Sequence, residues 1–303
     1  MRNRIIFILG PTSSGKTKVA IEVAKKMNGE IVSCDSMQVY KDMDVLTQVP
    51  GDVFLNKVPH HLIKVVSPEQ EFNAAKFVNM AQEVIDNICK KGKMPVFAGG
   101  TGLYVKALVD GMFPAPPKDE TLREELLKLA KKMGNEYLYS ELEKVDPDTA
   151  ARLHSNDLRR IVRALEIFKL TGKTMQEKKS ETRGITENYD CRMFGLSLPR
   201  KMLYERIENT VDKMFREGLV AEIEKLRTRK LSLTAARALG IKEVSAYLDG
   251  EISFEKAEEE LKKNTRRYAK RQLTWFRSDN RIEWIDADRD AALVADEIVN
   301  KAE

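Results

Sequence analysis

Gly10-Pro11-Thr12-Ser13-Ser14-Gly15-Lys16-Thr17 is the stretch whose residue types and spacing most directly imply chemistry. Its glycines let successive backbone amides turn inward on an anion, and a helix opening there adds roughly half a positive charge. Lys16 then reaches an outer phosphate and the Thr17 hydroxyl suits Mg²⁺. The pattern predicts a diphosphate or triphosphate cradled by Gly10, Pro11, Thr12, Ser13, Ser14, Gly15, Lys16 and Thr17.

Such a cradle needs a strand before it and a helix after it. Arg4 to Leu9 is a short apolar run rich in β-branched residues, and Val19, Ala20, Val23 and Ala24 recur at helical spacing until Asn28-Gly29. A second strand, Glu30 to Cys34, ends in Asp35-Ser36-Met37-Gln38-Val39-Tyr40. If the strands are parallel, the Asp35 carboxylate lies near the phosphate loop; it equally suits a helix N-cap. Met94 to Ala98 predicts a further strand, running into Gly99-Gly100-Thr101-Gly102 and another helix, so the alternation indicates a parallel α/β sheet. No carboxylate ends that strand, where many phosphate-loop NTPases keep the aspartate that serves Mg²⁺.

The remaining elements hold other candidates. Pro59 to Val66 reads as a strand whose neighbouring His60 and His61 would face opposite sides, which argues against a metal pair. A stiff segment, Phe113-Pro114-Ala115-Pro116-Pro117, predicts a linker. Helical patterns alone follow it, Thr121 to Met133 and Asp157 to Leu170 among them, so residues 113–190 read as an inserted all-helical subdomain in a core of 1–112 and 191–303. Arg123 lies near the start of the first inserted helix, and Arg159, Arg160 and Arg163 share part of another, beside Ile161 and Val162 on its apolar side. Arg192 to Leu198 returns to the sheet, followed by a helix carrying Leu203, Ile207, Val211, Met214 and Phe215. Late in the chain, Glu258-Glu259-Glu260 gives way to Lys262, Lys263, Arg266, Arg267, Lys270, Arg271 and Arg277, interleaved with Tyr268, Trp275 and Phe276. That helix suits a phosphate backbone with stacking aromatics, or a solvated face paired to its own acidic half.

Composition sets bounds on these readings. The 303 residues, 33% charged and 42% hydrophobic, suffice for one large domain with an insertion. A net charge of +5, from 52 basic and 47 acidic residues, leaves any nucleic-acid signal to local clusters. Cys34, Cys89 and Cys191 are too few and too scattered for a disulfide framework or a cysteine-rich zinc site. No stretch approaches the length of a membrane span, so a cytoplasmic protein without membrane partners is expected.

In combination these motifs resemble those of the bacterial tRNA dimethylallyltransferases, also called tRNA isopentenyltransferases. The likeness runs through the phosphate loop, Asp35 to Tyr40, Pro59 to Ile63, Gly99 to Tyr104, Asn156 to Glu166 and Lys270 to Arg277. Ser155, where the family usually has proline, and Ile241, where an aromatic is common, depart from it. The resemblance implies a P-loop NTPase-like α/β fold, with a parallel sheet flanked by helices, and transfer of a dimethylallyl group from its diphosphate to the exocyclic amine of the adenosine 3′ of the anticodon. It implies Mg²⁺, Asp35 as base with Thr101 near the reacting purine, and a further cation on the diphosphate, Arg206 or Arg237. The tRNA anticodon stem-loop would meet Asp35, Ser36, Met37, Gln38, Thr101, Arg123, Arg159, Arg160, Ile161, Val162, Arg163, Lys270, Arg271, Gln272, Trp275 and Arg277, on a protein expected to be a monomer. The same loop leaves open an ATP-dependent small-molecule or nucleoside kinase, and a noncatalytic RNA-binding nucleotide switch. A kinase has no need of the arginines at 159 to 163.

Overall fold

Ile5, Ile6, Phe7, Ile8 and Leu9 are all fully buried, and an apolar run without alternation is what a strand covered on both faces requires. In the computed structural model this run is β1 (Asn3–Leu9), inside a six-stranded sheet ordered β3-β2-β4-β1-β5-β6. Its other strands are β2 (Gly29–Ser33), β3 (His60–His61), β4 (Met94–Gly99), β5 (Tyr189–Ser197) and β6 (Ile282–Asp286), and every pairing is parallel. The structure describes residues 3–112, 116, 118–175, 177 and 182–303.

Side chains alternate across β1 and build two cores. Phe7 and Leu9 join Val32 and Phe97 beneath the helices Ala74–Lys90 and Gly102–Val109, with the Phe7 and Phe97 rings stacked at 4.8 Å. Ile6 and Ile8 face the helices Lys16–Lys26 and Ala291–Ala302. Register then aligns the carboxyl ends: Leu9 pairs with Gly99, and Ser33 with Ala98. The turns after β1, β4 and β2 consequently leave the sheet side by side. Among the described residues, no helix is long and apolar enough to cross a membrane.

Two sequence expectations change. The strand expected over Pro59 to Val66 shrinks to His60–His61 plus an isolated bridge from Tyr40 to Val66. Left-handed backbone at Leu62 and Lys64 breaks the extended run. Strand β6 goes unforeseen, because only Ile282, Trp284 and Ile285 are apolar in its five residues and it lies at the sheet edge. The expected linker at 113–117 falls, except for Pro116, outside the described residues.

The chain divides into two compact units, Met1–Val109 with Ile185–Glu303, and Asp110–Gly184. Among its described residues the second unit is helical, with Glu120–Met133, Asn135–Val145, Pro147–Ala150 and Leu158–Thr171 around a small core of Leu126, Leu138, Leu142, Ile161, Val162 and Leu165. The expectation that Ile161 and Val162 touch RNA is therefore corrected: both side chains are buried there, on the inward stripe of their own helix.

Candidate active site

The loop after β1 folds as an anion cradle. Gly15, at φ 91°, turns the chain into the Lys16–Lys26 helix, a backbone conformation that a β-carbon disfavours. That helix start has no side-chain cap, which leaves amides and the positive end of the helix dipole facing the turn. The Ser14 hydroxyl is buried with no hydrogen-bond partner among the described residues. An unsatisfied buried hydroxyl is costly unless a ligand completes it.

Lys16 folds back over this turn and donates to the Pro11 carbonyl at 2.6 Å. Burial pushes its ammonium down to about 8, against an upward pull from the Asp35 carboxylate. Arg206 and Thr210 reach the same loop from the Arg200–Arg216 helix: an Arg206 Nη1 lies 3.9 Å from where a Gly15 β-carbon would stand, and the Thr210 and Ser13 hydroxyls are 3.2 Å apart. Arg237 is exposed at the short turn Ala235–Arg237.

Asp35 follows β2, two strands from the cradle. One carboxylate oxygen accepts from the amides of Met37 at 2.8 Å and Gln38 at 3.4 Å, which closes a turn over 36–39; no helix follows, so the helix N-cap read from sequence gives way to an Asx turn. The turn engages Oδ1 only. Thr101, at the intervening strand end, accepts from the Ser36 amide at 3.0 Å and donates to the Ser36 hydroxyl at 3.3 Å. Gln38 donates to the carbonyls of Thr47 and Gln48, and accepts from the Ser33 hydroxyl. Met37 packs against the larger core. With neighbouring strands about 4.8 Å apart, the ends of β1 and β2 stand roughly 10 Å apart across β4, room for a five-carbon group between an anion and a base.

The helix Phe254–Arg277 passes beside these turns. Its basic residues fall into two groups. Lys262 pairs with Glu258 and Lys263 with Glu260 at 3.0 Å, the pairing to the helix's own acidic half weighed from sequence, while Lys262 also meets Asp212 and Arg266 meets Glu208 at 2.6 Å, both on the Arg200–Arg216 helix. Lys270, Arg271 and Arg277 are exposed, Arg271 over the Tyr268 ring and Arg277 over that of Trp284. Trp275 is 41% exposed and packs on Gly102, where a β-carbon would come within 2.1 Å of its Cδ1. Gln272 is buried instead, accepting from the Thr12 amide and donating to the Gly100 carbonyl. Burial pushes the Tyr268 phenol up, with Asp35 adding to the shift and Thr101 and Gln272 bonding against it.

Sequence reasoning missed Thr210 and the inward role of Gln272. The helix's buried stripe of Ala257, Leu261, Ala269 and Phe276 includes position 272, so the helical period was the available signal. Thr210 had none. In the helical unit, Arg123 and Arg163 both bind the fully buried Glu166, Arg160 pairs with Asp157 at 3.3 Å, and Arg159 is exposed with no partner among the described residues. His61 bonds the buried Glu30 at 2.7 Å, while His60 Nδ1 donates to the Val58 carbonyl at 2.8 Å.

The donor set suits a cation that arrives with its diphosphate. Among the described residues no group of three His, Cys, Asp or Glu could hold a metal ion, whereas Mg²⁺ binds through few protein oxygens plus substrate phosphates. Thr17, the second residue of the Lys16–Lys26 helix, is the hydroxyl-bearing candidate for such a cation.

The chain is similar to known proteins over most of its length. A family model described as IPP transferase matches residues 38–279, and one described as isopentenyl transferase matches residues 3–63. A tRNA dimethylallyltransferase of Geobacter sulfurreducens is 46% identical, over 94% of this chain and 92% of its own. The tRNA dimethylallyltransferase 2 of Geotalea uraniireducens is 43% identical, over 98% and 96%. Among solved structures, a full-length tRNA isopentenylpyrophosphate transferase from Bacillus halodurans matches with a TM-score of 0.73 at 40% identity, over 99% of this chain and 97% of that one. A eukaryotic dimethylallyltransferase described as acting on tRNA matches at 0.77 and 30%, over 94% and 74%.

Proposed function

The chain belongs to the tRNA dimethylallyltransferase family, and from that premise we propose how its own residues carry the reaction. The enzyme transfers a dimethylallyl group to the exocyclic amine of the adenosine 3′ of the anticodon. The kinase and nucleotide-switch alternatives are set aside, since relatives matched over nearly the whole chain are prenyltransferases.

In this reading the loop Gly10 to Thr17 grips the diphosphate of dimethylallyl diphosphate. The purine amine attacks C1 of the allyl group as the C1–O bond breaks, and that electron pair leaves on pyrophosphate. Because the amine's lone pair is delocalised into the ring, its proton must be taken as the new bond forms. Asp35 takes it through Oδ2, the oxygen that the turn's hydrogen bonds do not use. Thr101 and Ser36, bonded to each other, hold the base edge against Asp35. Lys16, Arg206 and the loop amides stabilise charge on the leaving group, where most of the catalysis lies. Arg237 is the alternative to Arg206, carried by family resemblance alone. Mg²⁺, held by Thr17 and the diphosphate, would supply further charge neutralisation there.

The adenosine must leave its stack to enter such a pocket, at a cost of a few kcal/mol that backbone contacts offset. Lys270, Arg271, Arg277 and Trp275 on one unit, and Arg159 and Arg160 on the other, are exposed and suited to that task. We place the enzyme in the cytoplasm as a monomer.

One observation carries the proposal: cradle, Thr101 and Asp35 leave three adjacent parallel strands at the same edge. Incubation with Mg²⁺, labelled dimethylallyl diphosphate and an unmodified anticodon stem-loop should yield labelled RNA and pyrophosphate. An ATP control should yield no ADP; ADP formation without prenylated RNA would refute the reading.

A further inference from the structure

Gln272 sits in a basic run, yet it is 6% exposed and turned inward. Its carboxamide satisfies both ends in one orientation only: Oε1 accepts from the Thr12 N–H at 2.9 Å and Nε2 donates to the Gly100 carbonyl at 2.9 Å. We propose that Gln272 is a positioning residue, which fixes the spacing between the diphosphate cradle and the acceptor side of the pocket and makes no contact with RNA. The proposal rests on the reading of the Gly10 to Thr17 loop as that cradle.

Thr12 belongs to the cradle. Gly100 precedes Thr101, whose hydroxyl holds the Ser36 amide beside Asp35. Beyond the ends of β1 and β4 no ladder hydrogen bond ties these two turns, so their separation is free to drift unless something else spans it. One buried amide does so, from a third element. The Thr12 amide is thereby withdrawn from anion binding, and the diphosphate is left to the amides nearer the helix start. Gly100 fits the same account, because a β-carbon there would come within 2.2 Å of Gln272 Nε2. A neutral side chain is also required. A carboxylate at this position would lose the donor to Gly100 and add negative charge near Asp35 and the bound diphosphate.

Positioning and RNA contact predict different kinetics, measured with labelled dimethylallyl diphosphate and an unmodified stem-loop. Gln272→Met keeps the volume and removes both bonds. It should lower kcat by about 10²-fold, as expected for a reacting pair held slightly out of place, and raise the KM for the prenyl diphosphate, with stem-loop Kd unchanged. Gln272→Glu, which keeps the Thr12 bond but cannot donate to Gly100, should lose comparable kcat. Gly100→Ala reaches the same bridge from its other end and should reproduce the pattern with Gln272 intact, which keeps the test decisive if the methionine variant folds poorly. Weakened stem-loop binding with kcat and prenyl-diphosphate KM unchanged would overturn the proposal, and so would wild-type kinetics in all three variants. Calorimetry of pyrophosphate with the wild-type enzyme separates the two levels: no binding there removes the cradle reading and this inference with it, whereas normal binding with indifferent variants removes the inference alone.

Discussion

Arg123 meets Glu166 in two parallel hydrogen bonds, Nε to Oε1 at 2.8 Å and Nη2 to Oε2 at 2.9 Å. Glu166 also accepts from Arg163 and from the Asp119 amide, and its side chain has no exposed surface. Arg123 and Arg163 therefore hold the helical unit together, whereas Arg159 and Arg160 are exposed and are the ones proposed for RNA. Arg123→Ala should cost about 3 to 5 kcal/mol by leaving a buried carboxylate short of a partner, seen as a lower melting temperature. Arg159→Ala should change stability by less than about 0.5 kcal/mol while weakening stem-loop affinity and reducing its salt slope by about 1.

The buried glutamates also contribute to the acid sensitivity of the fold. Burial pushes Glu166 up, but Arg123, Arg163 and the Asp119 amide more than offset it and hold it near 2; for Glu30 the offsetting partners are Lys93, His61 and Lys91, with the same result. Both folded values lie below the ordinary 4.5, so the unfolded chain binds more protons between those limits. Their contribution is complete above pH 4.5 and is lost as pH falls towards about 2. Glu30→Gln and Glu166→Gln should each flatten the acid limb of a stability-against-pH curve, and an unchanged limb would remove them from the account.

Asp35 does two jobs that two substitutions separate. Its Oδ1 accepts from the Met37 and Gln38 amides in a turn, and an asparagine oxygen can do the same without accepting a proton. Asp35→Asn should lower kcat by about 10²- to 10⁴-fold with stem-loop Kd and melting temperature near wild type. Asp35→Ala should lose the same activity and about a further 1 kcal/mol of stability with the turn's hydrogen bonds. Normal turnover in the asparagine variant would remove Asp35 as base.

Lys16 predicts a pH dependence of opposite sense. Burial brings its ammonium to about 8 from 10.5, so the folded chain binds fewer protons than the unfolded one between those values. The cost of burying that charge is felt below pH 8 and relieved as pH rises through the window. Diphosphate binds the charged form. Pyrophosphate affinity should be level below pH 8 and fall by about tenfold per unit above it, with proton uptake on binding in calorimetry across buffers. Binding that is flat up to pH 10 would exclude Lys16 as the phosphate-reaching cation.

How far the chain could be read depends on where its information lies. The unbroken burial of Ile5 to Leu9 and the Gly10 to Thr17 spacing are local patterns, so sheet and cradle were both legible. Asp35 read equally well as helix cap or base, and in the structure its Oδ1 closes a turn with no helix behind it, because the chain after Gln38 is held instead by pairing with residues 64–66. The basic residues were legible only as a composition. Whether Lys262, Arg266 or Arg163 is spent on a carboxylate depends on Asp212, Glu208 and Glu166, brought near by folding. Strand β6 depended on pairing with β5, which no window of its own five residues contains.

Gly102 and Trp275 offer a test in which one substitution should repair another. A β-carbon on Gly102 would stand 2.1 Å from Trp275 Cδ1 and 2.2 Å from its Nε1, too close for adjustment within the present rotamer. The indole is partly exposed near the end of its helix, so it can swing outward, at the expense of its packing on Gly102–Val109. Gly102→Ala should therefore cost about 1 to 3 kcal/mol and disturb stem-loop binding through the displaced ring. Trp275→Ala removes the obstacle along with the ring's own packing. In the double variant the three atoms nearest the alanine at 102 are gone and alanine is a better helix former than glycine, so its cost should vanish or change sign. Thermal melts of the four proteins measure that coupling, and additive costs would mean that the two residues do not touch.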